Sequence, residues 1–555
     1  MSWARLDDRA NFQIGFYCNI ITGNSKLRAG SRLESGNSRI FMSFYRFLEI
    51  IPGFLAWTTL IVFVLAARFL PTYVSVFIIL FDTYWLFKTV YLYFHLRVSY
   101  KELRANLKIN WLTKLEKNPR TADRWRKIYH LVILPMYKEP YEVVAETFEA
   151  LSRVNYPLDR LIVVLAEEEK GGAEALATGE RIRENFGSKF FRFIATVHPA
   201  DIPGELAGKG SNETWAAKEA KQKIIDSLSL PYEDIIASVF DVDTQVASEY
   251  FGRLAEAFLT APNPQRSSYQ PIPFFINNVF EAPALARVVA FSTTFWGLME
   301  QSRPEHIETF SSHATPFKAL AEIGFWETNV VSEDSRIFWQ LYLHYHGDWR
   351  TVPLKYPISL DVNVASTFWG TVASLYKQQR RWAWGAENFP YVVSGFLKNR
   401  APLSKKLSRS FNILEGVYSW STSAFLVSLG GLPVVIGGKE FNATVLSYSL
   451  PVITGYLAYI TSLGLIISGI LGAALLPPRP KWFKRKHGLI YFLQWFLTPI
   501  SMIFLGAVPA LEAQTRLMLG GRFRLGFWPT PKSRLKKEGV TLSASPAGPT
   551  LKNVD

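Results

Sequence analysis

The chain has 555 residues, with 61 Lys and Arg against 46 Asp and Glu for a formal charge of +15; 49% of it is hydrophobic and 15% aromatic. So apolar a chain, with only 19% charged residues, is not disordered, and a single cysteine, Cys18, rules out a disulfide framework. A mean hydropathy near zero fits a soluble domain combined with membrane segments.

In chain order, residues 1–43 form a polar segment of net charge +3 without clear periodicity, and Met42 is an alternative start. Residues 44–97 follow as an expected transmembrane hairpin. Ile50–Ala67 is an uncharged run of 18, and Pro71–Leu96 is apolar apart from Asp82 and Lys88, against a need of about 20 residues per span. Neither run is a signal peptide, because no small-residue cleavage site follows and the apolar stretch continues too far. Asp82 lies inside a hydrophobic segment, either as a functional group or as a structural contact to a neighbouring helix or Lys88.

From about 98 to 400 short apolar runs alternate with helical patterns. Leu131–Leu134, Leu161–Leu165 and Ile235–Phe240 read as strands and Glu142–Leu151 as a helix, which predicts an α/β domain with a mostly parallel sheet. Ligands bind such sheets beyond the carboxyl ends of the strands, where Glu139, Glu167, Asp241 and Asp243 fall. No Walker A motif, dinucleotide fingerprint, nucleophile elbow or Cys/His metal cluster is present.

After 400 come the apolar stretches Gly416–Gly438, Phe441–Pro478 and Gly488–Leu511 within a membrane region at 411–511. Four spans are expected, with Gly488–Leu511 re-entrant or interfacial because it contains Pro499 and Pro509; six, splitting 441–478, is the alternative. A fifth span would place the basic tail outside. That tail, 512–555, holds Arg516, Arg522, Arg524, Lys532, Arg534, Lys536 and Lys537. Residues 98–476 are neutral while 477–555 carry net +10, so the excess flanks membrane segments as the positive-inside rule requires. A nucleic-acid protein would carry it on the folded domain, and no nucleic acid is expected.

Three local patterns carry chemistry. Asp241 and Asp243 flank Val242, and residues i and i+2 of an extended chain face one side, suited to a hard divalent cation and a diphosphate; a solvated turn is the alternative. Glu333-Asp334 precedes a helix over Arg336–Tyr345, where acidic residues also serve simply as first-turn partners of the helix. Gln378, Arg381 and Trp382 share one face of an interfacial helix within 366–395, offering an amide, a guanidinium and an aromatic platform, or membrane anchors.

Pro135, Tyr137 and Glu139, then Glu167, Lys209 with Asn212, the Asp241–Asp243 pair, Ser332-Glu333-Asp334 and Gln378-Gln379-Arg380-Arg381-Trp382 occur in one order. That order resembles the membrane-embedded family 2 glycosyltransferases of the cellulose, chitin and hyaluronan synthase type. Phe527-Trp528-Pro529-Thr530 followed by Lys532 is similar to their FxVTxK gating-loop motif. The resemblance implies a GT-A-like domain inserted between transmembrane helices. Tyr137, Glu139 and Glu167 would line a uridine pocket and Lys209 would contact the nucleotide. Asp241 would face the nucleotide-sugar, with Asp243 on Mg²⁺ or Mn²⁺. Asp334 would be the general base beside Glu333, Gln378 and Arg381 would hold the diphosphate, Trp382 would stack on the acceptor, and Thr530 and Lys532 would close over bound nucleotide.

The implied activity is inverting, metal-dependent transfer from a UDP-sugar to a growing β-linked polysaccharide, processive and coupled to translocation, with the catalytic domain cytosolic in a multi-pass plasma or bacterial inner membrane protein. The alternative is single transfer to a lipid acceptor, a polyprenyl phosphate or a sphingolipid. Accessory or homo-oligomeric subunits are compatible with either. The chain departs from the pattern at Glu167 (more usually Asp), Ser332 (Thr), Pro529 (Val) and Phe310-Ser311-Ser312-His313-Ala314, where a Gly/Ser-rich acceptor loop is common. With so few residues after Lys532, an appended nucleotide-sensing domain is not expected.

Overall fold

The computed structural model describes residues 32–530. Helix α1 (Arg32–Phe69) begins inside the stretch expected to be only polar, and α2 (Pro71–Asn106) follows after one residue, with Pro71 in its first turn. Proline is tolerated there because its missing N–H has no helical partner in any case. Both helices expose large apolar side chains, among them Phe54, Ile61, Leu80 and Phe87.

Eight strands then build one sheet: β1 (Tyr129–Met136), β2 (Leu161–Glu168), β3 (Arg192–His198), β4 (Ile235–Val239), β5 (Gln245–Val246), β6 (Ser267–Phe275), β7 (His313–Pro316) and β8 (Arg350–Leu360), in the order β3-β2-β1-β4-β7-β6-β8-β5. Strands β1, β2 and β4 are buried almost throughout, as continuous apolar runs covered on both faces must be. Val132, Leu134, Val163 and Leu165 pack on one face with Phe148 and Phe251, while Leu131, Ile133, Ile162 and Val164 pack on the other with Ala217 and Trp339.

The sheet is of the expected α/β kind and its pairing is mixed. Pairs β1/β2, β1/β4, β2/β3 and β6/β8 are parallel, but β4/β7, β6/β7 and β5/β8 are antiparallel. The sheet is mixed because β7, inserted beside β4, and β5, beside β8, run against the direction of the other six strands.

Three helices bring site residues to it: α3 (Lys209–Ala220), α4 (Glu333–His344) and α5 (Phe368–Ala383). Beyond them run α6 (Leu403–Ser428), α7 (Val445–Leu475) and α8 (Val508–Leu519). Among the described residues, four helical stretches are long and apolar enough to cross a membrane: Met42–Phe69, Pro71–Asn106, Val445–Leu475 and Arg485–Leu519. Three of these stretches overlap segments expected to span, and the fourth, Arg485–Leu519, does not. Gly416–Gly438 does not form one continuous span, since α6 starts in a basic stretch and ends in a turn at Leu429. Gly488–Leu511, expected to be re-entrant or interfacial, lies in a helical stretch of 35 residues. Pro499 and Pro509 each sit in the first turn of a helical segment, and π-type turns at Ile503–Ala507 join those segments; local adjustment of this kind is how proline is accommodated in apolar helices.

The segment after α8 folds back. Arg46 of α1 donates to the carbonyls of Leu517 and Met518, and Arg524 pairs with the buried Glu49. Gly520 adopts a left-handed φ of 66° there, and a Cβ on it would meet the Arg46 guanidinium at 2.8 Å.

Candidate active site

Strand β4 ends at Val239 and delivers Asp241 and Asp243 beyond the sheet. Lys209, the first residue of α3, places Nζ 2.9 Å from Asp241 Oδ1 and 3.5 Å from Glu213 Oε1. Burial alone would lower the Lys209 ammonium, but the carboxylates of Asp241, Glu213, Glu333 and Asp334 outweigh it and hold the group above the usual lysine range. Gly208 and Gly210 make the approach of the other segments possible. A Cβ on Gly208 would meet the Phe527 ring at 2.7 Å, and one on Gly210 would meet Glu333 Cβ at 2.9 Å.

Asp243 is 1% exposed, and its Oδ2 accepts from the backbone N–H of Asp361, just past β8, at 3.0 Å. Among the described residues no group of three His, Cys, Asp or Glu side chains could hold a metal ion by itself. Two carboxylates at one strand end still suit Mg²⁺ or Mn²⁺, which commonly takes one or two carboxylates and completes its shell with water and substrate phosphates.

Asp334 lies in the first turn of α4. Its Oδ1 accepts from the Ser335 N–H at 2.8 Å, and its Oδ2 from the Ser311 N–H at 2.8 Å. The helix-terminus reading is therefore correct as geometry, and the second oxygen also reaches across the site. Ser311 is a site residue to which the sequence reading assigns no role, although it lies in the Phe310–Ala314 stretch that departs from the family pattern. Its backbone is left-handed at φ 51°, and its hydroxyl donates to Asp241 Oδ2 at 3.1 Å, so one residue joins the two carboxylates. A non-glycine residue in that region carries strain that clusters at functional sites. Burial, and then Asp334, push the neighbouring Glu333 carboxyl up to about 7, against Lys209 and Arg381. Burial followed by Lys209 lowers His313, beneath this cluster, to about 4, so its imidazole is neutral at physiological pH.

On α5, Arg381 lies over the Phe527 ring at 5.2 Å. Gln378 accepts from Asn363 at 3.2 Å, and Trp382 stands 6.4 Å from Phe275; Gln378 and Trp382 line one cavity with Val289 and Leu375. Thr530 Oγ1 is buried without a hydrogen-bond partner. Lys532 lies outside the described residues.

The base-side residues divide. Glu139 turns back to accept from the N–H groups of Tyr137 and Lys138 at 2.7 and 3.1 Å. Glu167 instead packs its carboxylate against Gly179 of the helix Ala173–Phe186, where a Cβ would meet Oε1 at 2.0 Å. Its Oε1 has no hydrogen-bond partner, and burial raises it to about 7. The next residue, Glu168, is the one that feels the charge of Glu139 and lines a cavity with Lys170, His198 and Glu205. Successive residues of a strand face opposite ways, so Glu167 and Glu168 cannot serve the same side. The structure thus brings Lys209, Asp241, Ser311, Glu333, Asp334, Arg381 and Phe527 together and leaves Glu167 apart.

Residues 238–508, from the end of β4 to the start of α8, match the family model described as Glycosyl transferase family group 2. The match covers just under half of the chain, and over that stretch the chain is similar to glycosyltransferases. More narrowly, the match supports a family 2 glycosyltransferase. Similar solved structures include the mannosyltransferase PcManGT from Pyrobaculum calidifontis in complex with GDP-Man and Mn2+, at 14% identity over 70% of this chain and 98% of that one, with a TM-score of 0.39. Another is S. aureus TarS 1-349 in complex with UDP-GlcNAc, at 12% identity over 63% and 93% and a TM-score of 0.33. Likeness this distant does not bear on substrate or mechanism. No curated protein matches the chain.

Proposed function

We propose that the protein transfers a sugar from a UDP-sugar to a growing β-linked polysaccharide with inversion, in a GT-A-like cytosolic domain carried by membrane helices. The observation that carries this reading is the junction at Lys209: Asp241, beyond the end of β4, pairs with Lys209 and is joined through Ser311 to the general-base candidate Asp334 in the first turn of α4, and the neighbouring Glu333 carboxyl feels the Arg381 guanidinium of α5.

The chemistry requires three things. A base must take the proton of the acceptor hydroxyl as its oxygen attacks the anomeric carbon, and Asp334, half-buried with both oxygens oriented by N–H groups, fills that role. The departing diphosphate must be stabilised, which Arg381 and Gln378 supply from one helix face. The donor must be held in line, with Asp241 toward the nucleotide-sugar and Lys209 toward the nucleotide. Asp241 and Asp243 would hold Mg²⁺ or Mn²⁺, which neutralises charge on a diphosphate. Single displacement on an α-linked donor gives a β-linkage, by the stereochemical logic of inverting glycosidases.

Tyr137, Glu139 and Glu168, in place of Glu167, suit the base side of the nucleotide. Trp382 would receive the acceptor sugar, and Phe527, already seated over Gly208 and under Arg381, would cover the nucleotide with Thr530. Product analysis on purified protein with Mg²⁺ or Mn²⁺ and a panel of UDP-sugars tests the reading. A ladder of long oligosaccharides is expected, whereas a single sugar on an added polyprenyl phosphate or sphingolipid overturns processivity.

A further inference from the structure

We infer that Glu387 is a positioning residue that locks the general base and the leaving-group helix into one register; this rests on the roles proposed above for Asp334 and Arg381. Glu387 closes the short turn Trp384–Glu387 that follows α5, six residues after Arg381. Its carboxylate does not face the carboxylate cluster. Oε1 accepts from the Val331 N–H at 3.3 Å, the Ser332 N–H at 3.2 Å and the Ser332 hydroxyl at 2.7 Å, and Oε2 accepts from Trp384 Nε1 at 2.8 Å. Trp384 is buried, so the anchor is fixed on the α5 side.

The consequence appears in how α4 begins. Ser332 stands at its N-cap, where a serine hydroxyl ordinarily accepts from the first-turn N–H groups. Here it makes no such bond, and the hydroxyl is turned toward Glu387, to which it donates. The turn entering α4 is therefore set from the end of α5 and not by the helix's own cap. Asn388 completes the grip from the other side of Asp334: its Oδ1 accepts from Arg336 Nε at 2.7 Å and its Nδ2 donates to Ser335 Oγ at 2.9 Å. Arg336, 3% exposed, also pairs with Glu327 at 2.8 Å. Ser332, Ser335 and Arg336 bracket Asp334 in sequence, and all three are held by two consecutive residues, Glu387 at the end of the turn that follows the Arg381 helix and Asn388 directly after it. Misplacing a base by about 1 Å is enough to cost on the order of 100-fold in rate.

The test uses the full chain in detergent or nanodiscs with the donor that supports transfer. Glu387→Ala is expected to lower kcat about 10- to 100-fold while the donor KM stays within about threefold. Glu387→Gln keeps one oxygen for the Val331–Ser332 turn and is expected to recover most of that kcat; a variant that merely misfolds would show no such split per folded molecule. Should Glu387→Ala not accumulate, Asn388→Ala provides the second arm, with an expected kcat loss of about 3- to 10-fold at unchanged KM. Parental kcat in Glu387→Ala, a loss confined to KM, or equal losses in the Gln and Ala variants overturn the inference. Asp334→Asn separates the layers: if it is inactive while Glu387→Ala is normal, only the positioning role fails, and if it turns over normally the base assignment fails first.

Discussion

The two acidic halves of the site are held in different ways. Asp241 and Asp243 follow directly from β4, so the sheet fixes their backbone. Asp243 is sealed by the Asp361 N–H, and Asp241 is paired with Lys209. Asp334 has no strand beneath it. Its orientation comes from Ser311, from the Ser335 N–H and, one step back, from Glu387 and Asn388. The Asp241–Asp243 half is preorganised by the core, and the Asp334 half by side chains that converge from segments remote in sequence. Neighbours of the first half should tolerate change, and neighbours of the second should not.

The largest effect that sharpens this contrast separates the halves chemically. Asp334→Asn is expected to lower turnover about 10²- to 10⁴-fold, the range for removing a general base, while equilibrium binding of UDP changes less than about twofold. Asp243→Asn should remove the part of UDP binding that depends on Mg²⁺. Titrations of UDP with and without Mg²⁺ check both, and parallel losses in the two variants would erase the distinction.

A smaller effect tests the bridge between them. Ser311→Ala removes the hydroxyl donated to Asp241 and keeps the N–H donated to Asp334, so a loss of about 2- to 10-fold in kcat is expected from one hydrogen bond. Ser311→Gly loses the same hydroxyl and also relieves the left-handed backbone, a conformation that costs a side-chain-bearing residue about 1–2 kcal/mol. Equal kinetic losses with a higher melting temperature in the glycine variant are expected. If glycine restores the rate, the strain and not the hydroxyl is what matters.

What the sequence discloses follows the same division. The strands β1, β2 and β4 are short runs of Leu, Ile and Val ending in carboxylates, and the α/β class and the Asp241–Asp243 pair are visible from that alone. The other half of the sheet is not. Pro271 and Pro273 interrupt β6, and Pro353 and Pro357 interrupt β8; prolines argue against strands by pattern, yet these two pair in parallel with a register shift between Gln270 and Ile272. The apolar pattern of α6 starts only at Gly416, because Lys405, Lys406 and Arg409 mask its first turns. The roles of Ser311 and Glu387 carry no local signal, since Ser311 joins residues 23 and 70 positions away and Glu387 reaches back 55 residues to Ser332.

The finest contrast lies within one strand end, between Glu167 and Glu168. Glu167 is 4% exposed, and burial, then Glu180, raises its carboxyl from 4.5 to about 7. Between those two values the folded chain binds more protons than the unfolded one, so this group lowers stability as pH rises through that window. Glu167→Gln removes the ionisation and keeps the shape. It is therefore expected to raise the melting temperature by a few degrees at pH 8, to give no such gain near pH 4.5, and to leave UDP affinity within about twofold. Glu168 faces the other way, toward Glu139 and Lys170, and Glu168→Gln is expected to change UDP affinity more than it changes melting. If Glu167→Gln weakens UDP binding instead, its carboxylate must leave Gly179 and turn into the nucleotide pocket when the donor binds, and the base side would then be shaped by the ligand and not by the strand.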